Sequence, residues 1–141
     1  MISGWTRRAL VGADDILIVA EPDLANLRNA KNMLSMLKGA RPNDRPPLYC
    51  LSQVGMSKRP EISPREFAKA MENQPIASIP FDPRMFGMAA NNGQMIAEIS
   101  ANHRISKTFV QIANQLTGRN EPKRPRGSIF SPILRKLRAR A

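Results

Sequence analysis

Asp15 to Ala20 reads DILIVA, a short and almost uninterrupted apolar run rich in Ile and Val. Such a run in place of alternation, short and β-branched, is what a strand covered on both faces requires, so this segment predicts a parallel sheet between helices. A helix follows, because Leu24, Leu27, Ala30, Leu34 and Leu37 recur at three- and four-residue spacing. Asp23 caps its start, Gly39 with Pro42 beyond ends it, and Arg28, Lys31, Ser35 and Lys38 form its polar face.

The pattern then repeats. Leu48 to Val54 is a second apolar run, and the loop Gly55 to Pro60 (GMSKRP) follows it. Ser63-Pro64-Arg65-Glu66 is a capping box with proline at the first helical position, ahead of the stripe Phe67, Ala70 and Met71. Ile76 to Pro80 is a third strand, and Asp82-Pro83 starts a brief helix through Phe86 and Ala90 that ends at Asn91-Asn92-Gly93. Ile105, Phe109, Ile112 and Leu116 mark a last amphipathic helix closed by Gly118. Strand-helix alternation with buried-type strands gives an α/β fold of parallel βαβ units with right-handed crossovers. About three strands make a small, partial doubly wound sheet, which leaves one face short of cover.

Charge separates residues 1–118 from residues 119–141. Of the formal charge of +11, the segment from Arg119 to Ala141 carries +7, with eight basic residues against one acid. Its first part (RNEPKRPRG) reads as a Pro-containing basic linker. A short amphipathic tail follows, placing Phe130, Ile133, Leu134 and Leu137 beside Arg135, Lys136 and Arg138. Such a tail suits an anionic membrane surface or an acidic partner. Nucleic acid is the alternative that its charge allows, but aromatic residues are only 5% of the chain and no RNA-binding signature or zinc spacing accompanies them.

Other chemistries are excluded by what is scarce. One cysteine, Cys50, permits no intrachain disulfide, and with one histidine, His103, it makes no closed zinc site. Cys50 lies inside the run Leu48 to Leu51 and reads as a small buried hydrophobe. No apolar stretch approaches the roughly 20 residues that span a bilayer, and the first eight residues contain no signal-peptide core. These features fit a cytoplasmic protein, peripheral at most to the inner face of the membrane or the cell pole.

Three segments carry a resemblance: WTRRALVGADDILIVAEPDLANLRNAKNML, LYCLSQVGMSKRPEIS and IPFDPRMFGMAANNGQMIAE. From about Trp5 to Arg119 the chain resembles the C-terminal half of CpaE/TadZ-type pilus-assembly ATPases, in the ParA/MinD superfamily of P-loop NTPases. The resemblance implies half of a doubly wound ATPase domain, acting through dimerisation and docking of the Flp/Tad pilus secretion machinery. It also implies that ATP phosphates and Mg²⁺ are held by an N-terminal half. No glycine here is followed by lysine, so no GxxxxGK[ST] loop can be written. The chain is therefore not expected to hydrolyse ATP alone, and it reads as a partner for a missing half, a homodimer subunit or the product of a truncated gene.

On the adenine side, the resemblance implies contacts from Ser52 and Gln53 and from Pro80, Phe81, Asp82 and Pro83. Ser52 stands where the superfamily has an asparagine, and a hydroxyl cannot offer the paired donor and acceptor of an amide. Asp82 also reads as a plain helix cap, and the two roles can coexist. Glu21-Pro22-Asp23, at the carboxyl end of the first strand, reads either as a ligand or partner contact or as a turn with a cap. Lys58-Arg59 reads as a solvated basic loop or a partner surface.

Overall fold

The computed structural model describes residues 3–118. The tail residues Phe130, Ile133, Leu134, Arg135, Lys136, Leu137 and Arg138 lie outside them.

The chain opens with helix α1, Gly4–Gly12, in which Ser3 caps the amide of Thr6. This helix was not legible in the sequence. None of its residues is buried and Trp5 is largely exposed, so there is no apolar stripe to reveal it. Strand β1, Leu17–Ala20, leads into helix α2, Leu24–Ala40, and the Asp23 carboxylate accepts the Asn26 amide at 2.7 Å. That helix does not stop at Gly39 as expected. It runs through Ala40 to a cap at Arg41, because Pro42 disfavours helical backbone in the residue before it. Arg41 is then pinned by its guanidinium, which donates to the Leu10 and Asp14 carbonyls and to Asp44. Leu24 also departs from the expected stripe, being 65% exposed at the first position of the helix.

Strand β2, Leu48–Val54, precedes helix α3, Pro64–Met71, whose capping box is complete: Ser63 and Glu66 each bond the other's backbone amide. Glu72 ends α3 in the left-handed conformation. Strand β3, Ala77–Pro80, begins one residue later than expected. Helix α4, Pro83–Asn92, closes at Gly93 with φ of 62°. A short helix α5, Ile96–Ile99, was also unforeseen, since one turn is too short to display a period. Helix α6, Arg104–Leu116, completes the order.

The three strands are parallel in the order β1-β2-β3, pairing Leu17 with Leu48 and Cys50 with Ala77. Side chains alternate across the sheet and create two cores. On one face Ile18, Ala20, Tyr49 and Leu51 pack with Leu27 and Ala30 of α2 and Phe67 and Met71 of α3. On the other, Ile79 packs with Ala89, Ile96, Ile105 and Ile112 from α4, α5 and α6. The central strand is sealed, with Tyr49, Cys50 and Leu51 all at most 1% exposed. Burial pushes the Cys50 thiol up, as befits a hydrophobe and not a nucleophile. At the edge, Val19 of β1 stands 61% exposed on the α6 side, the incompletely covered face that a three-strand count implies.

Candidate functional site

Parallel strands deliver their ligand-binding loops at their carboxyl ends. There the β2–β3 ladder slips between Leu51 and Val54, where Gln53 adopts φ of 56°. A non-glycine residue in that left-handed region is held by its surroundings. The slip takes Ser52 and Gln53 out of regular pairing, and the Phe81 amide restores the connection by donating to the Val54 carbonyl at 2.8 Å.

Ser52, Gln53, Pro80, Phe81, Asp82 and Pro83 thus come together around one hollow of about 260 Å³. The sequence reading missed a seventh lining residue, Phe86, one turn into α4. Its signal was present, since a residue three positions beyond a Pro at the helix start returns to the same face. Phe81 and Phe86 both remain more than a third exposed, offering aromatic surface to an occupant. The volume falls just below the roughly 300–1,000 Å³ of drug-sized ligand sites. Its polar side-chain groups are one hydroxyl, one carboxamide and one carboxylate, from Ser52, Gln53 and Asp82.

Asp82 is the α4 cap, Oδ1 accepting the Met85 amide at 2.9 Å, while Oδ2 lies 3.9 Å from Nε2 of His103. His103 in turn caps α6 through Nδ1, which accepts the Ile105 amide. Asp82 is therefore the α4 cap at the rim of the hollow, with His103 close by but beyond hydrogen-bond distance.

Behind Gln53 lies a charged network. Glu21 accepts a 2.7 Å bond from the Gln53 carboxamide nitrogen through one oxygen and pairs with Arg59 through the other. Arg59 also donates to the Gln53 carbonyl at 2.9 Å and to Glu61 at 3.1 Å. Glu61 accepts the Gly55 and Met56 amides, and the Gly55 bond above all holds its carboxyl below its ordinary value. Arg59 is only 21% exposed in its side chain, so Lys58-Arg59 is not a uniformly solvated loop: Lys58 is exposed, and Arg59 is drawn inward by two acids. Of Glu21-Pro22-Asp23, Asp23 is the helix cap, Pro22 is buried, and Glu21 joins the network.

Among the described residues no group of three or more His, Cys, Asp and Glu is gathered to hold a metal ion. Likewise none of the described helices is long and apolar enough to cross a membrane.

Solved structures share the fold that carries this hollow. A ParA family ATPase from Chlorobium tepidum superposes with a TM-score of 0.63 at 24% identity, covering 82% of this chain and 46% of that one. MinD cell division protein of Aquifex aeolicus gives 0.67 at 22% identity, over 86% and 51% of the two chains. The same organism's MinC:MinD complex gives 0.69 at 22% identity, over 86% and 49%. The fold is that of one half of a ParA/MinD-type ATPase. The chain spans about half the length of these ParA/MinD structures. No protein-family model and no curated protein matches it.

Proposed function

We propose that this chain supplies the base-binding half of a ParA/MinD-type ATP site and works by docking, in a homodimer or with a phosphate-binding half, within a Flp/Tad-type pilus assembly system. The observation that carries the first part is the hollow at the carboxyl ends of β2 and β3, lined by two aromatic rings, a hydroxyl, a carboxamide and the Asp82 carboxylate. Such a site grips a flat heterocycle by stacking and reads its edge through few polar groups. The pilus assignment rests on the three sequence segments that resemble CpaE/TadZ-type proteins. That MinD of Aquifex aeolicus forms a complex with MinC supports a docking role in the same fold. Phosphate and Mg²⁺ binding fall to the other half, since the chain holds no Gly-Lys pair for a phosphate loop. On this reading the chain alone does not turn over ATP.

Titrating ¹⁵N-labelled protein with adenosine and with ATP tests the reading. Shifts confined to residues 52–53 and 80–86, weakened by Phe86→Ala, support it. Shifts elsewhere, or none up to millimolar nucleoside, overturn it.

A further inference from the structure

We propose that Glu21 and Arg59 are positioning residues that fix the orientation of the Gln53 carboxamide and so make the hollow selective for ligands that donate a hydrogen bond at its rim. The inference rests on the base-binding reading of the hollow and deepens it by naming what decides selectivity.

A carboxylate only accepts hydrogen bonds, so an amide facing Glu21 must turn its nitrogen toward it. Gln53 does so, at 2.7 Å. That leaves its Oε1 without a protein donor among the described residues, on a residue that lines the hollow. An unconstrained glutamine can flip and present either an acceptor or a donor. This one cannot flip without setting its oxygen against the Glu21 carboxylate.

The constraint is reinforced from behind. Arg59 holds the second Glu21 oxygen, the Gln53 carbonyl and Glu61 in one fork, joining segments 38 residues apart in sequence. The Ile62 amide adds a bond of 2.8 Å to the Pro22 carbonyl, seating the same loop on the end of β1. Gln53 is thereby held at both its side chain and its backbone, in a left-handed conformation that a free loop would relax. Oε1 accepts from an exocyclic amine and repels a carbonyl at the same place. This supplies the edge recognition that Ser52 lacks.

Adenosine and inosine differ at that group, and their binding to the full chain tests the proposal. The expected result is a preference for adenosine of about tenfold, the ratio one well-placed hydrogen bond produces. Glu21→Gln, whose amide can face Gln53 in either orientation, should bring the ratio close to one, as should Gln53→Leu. Arg59→Lys should retain more of the preference than Arg59→Met. A direct readout without ligand is the Gln53 side-chain amide in a ¹⁵N spectrum: one of its two protons should exchange slowly, and Glu21→Gln should remove that protection. An adenosine preference unchanged by Glu21→Gln and Gln53→Leu overturns the proposal, and so does an unprotected Gln53 amide in the unaltered protein, whatever the variants do to folding. Binding of neither nucleoside overturns the reading of the hollow itself and this proposal with it.

Discussion

Tyr49 of β2 and Phe67 of α3 stack with ring centroids 5.9 Å apart and planes 28° from parallel, both rings fully buried. The Tyr49 hydroxyl, at the far end of the ring, donates to the Asn73 carbonyl at 2.6 Å just past α3. One residue of the central strand thus fixes both the body and the end of a helix. Phe67→Ala should cost about 3–5 kcal/mol, enough to unfold much of a small domain. Tyr49→Phe keeps the stack and loses one hydrogen bond to the carbonyl of the exposed Asn73, a cost of about 1 kcal/mol. Urea denaturation of the two variants checks the ranking, and equal losses would contradict it.

Acid should weaken α2 and α3 through their caps. The Asp23 carboxyl is held below its ordinary value mainly by the Asn26 amide, and Glu66 by Ser63. A group whose pKa is lowered by folding stabilises the protein above its unfolded value, and the contribution disappears as pH falls through the folded value. The loss therefore begins near the ordinary carboxylate range of about 4 and deepens below it. Asp23→Ala should cost about 1 kcal/mol at neutral pH and reduce the slope of stability against pH below that range. Asp23→Asn should retain most of the cap and show the same flattening. Thermal melts from pH 7 to 3 give both quantities.

Ser52→Asn should strengthen adenosine binding. The hydroxyl donates and accepts through a single atom on a short arm, whereas an amide offers a donor and an acceptor on two atoms side by side. One added net hydrogen bond is worth about 1 kcal/mol, a gain of about fivefold. Titration calorimetry reads it, and weaker binding by the asparagine variant would show that the hollow has no room for a longer side chain there.

That Ser52, Gln53 and Pro80 to Pro83 lie around one hollow has a physical reason. Ser52-Gln53 and Pro80–Pro83 each follow an apolar run, and parallel neighbouring strands must bring such endings together. Caps were legible for the same reason, since Asp23, Ser63 and Asp82 each act on an amide three residues away. The pairing of Glu21 with Arg59 was not legible. Local spacing carries no signal for two residues that far apart, and a basic loop reads as solvated until its acids are placed beside it. Helices α1 and α5 escaped because one buries nothing and the other is a single turn.

The outer edge of β1 should behave as a surface and not as a core. β1 pairs with β2 alone among the described residues, and the two residues in register there differ sharply: Cys50 is 1% exposed and Val19 is 61%. Ile18, one position earlier, points to the α2 side and is 8% exposed. Substituting these neighbours should therefore give opposite outcomes. Ile18→Ala removes core volume and should cost about 2–5 kcal/mol. Val19→Lys changes a residue outside both cores and should cost under about 1 kcal/mol, the span of strand propensities. An open edge with an apolar residue also invites pairing with another strand, and a lysine there opposes it. Val19→Lys should accordingly lower hydrophobic-dye fluorescence and any self-association seen by light scattering, with a fall in melting temperature of a few degrees at most. A destabilisation by Val19→Lys as large as that by Ile18→Ala would mean that the β1 face is covered in solution.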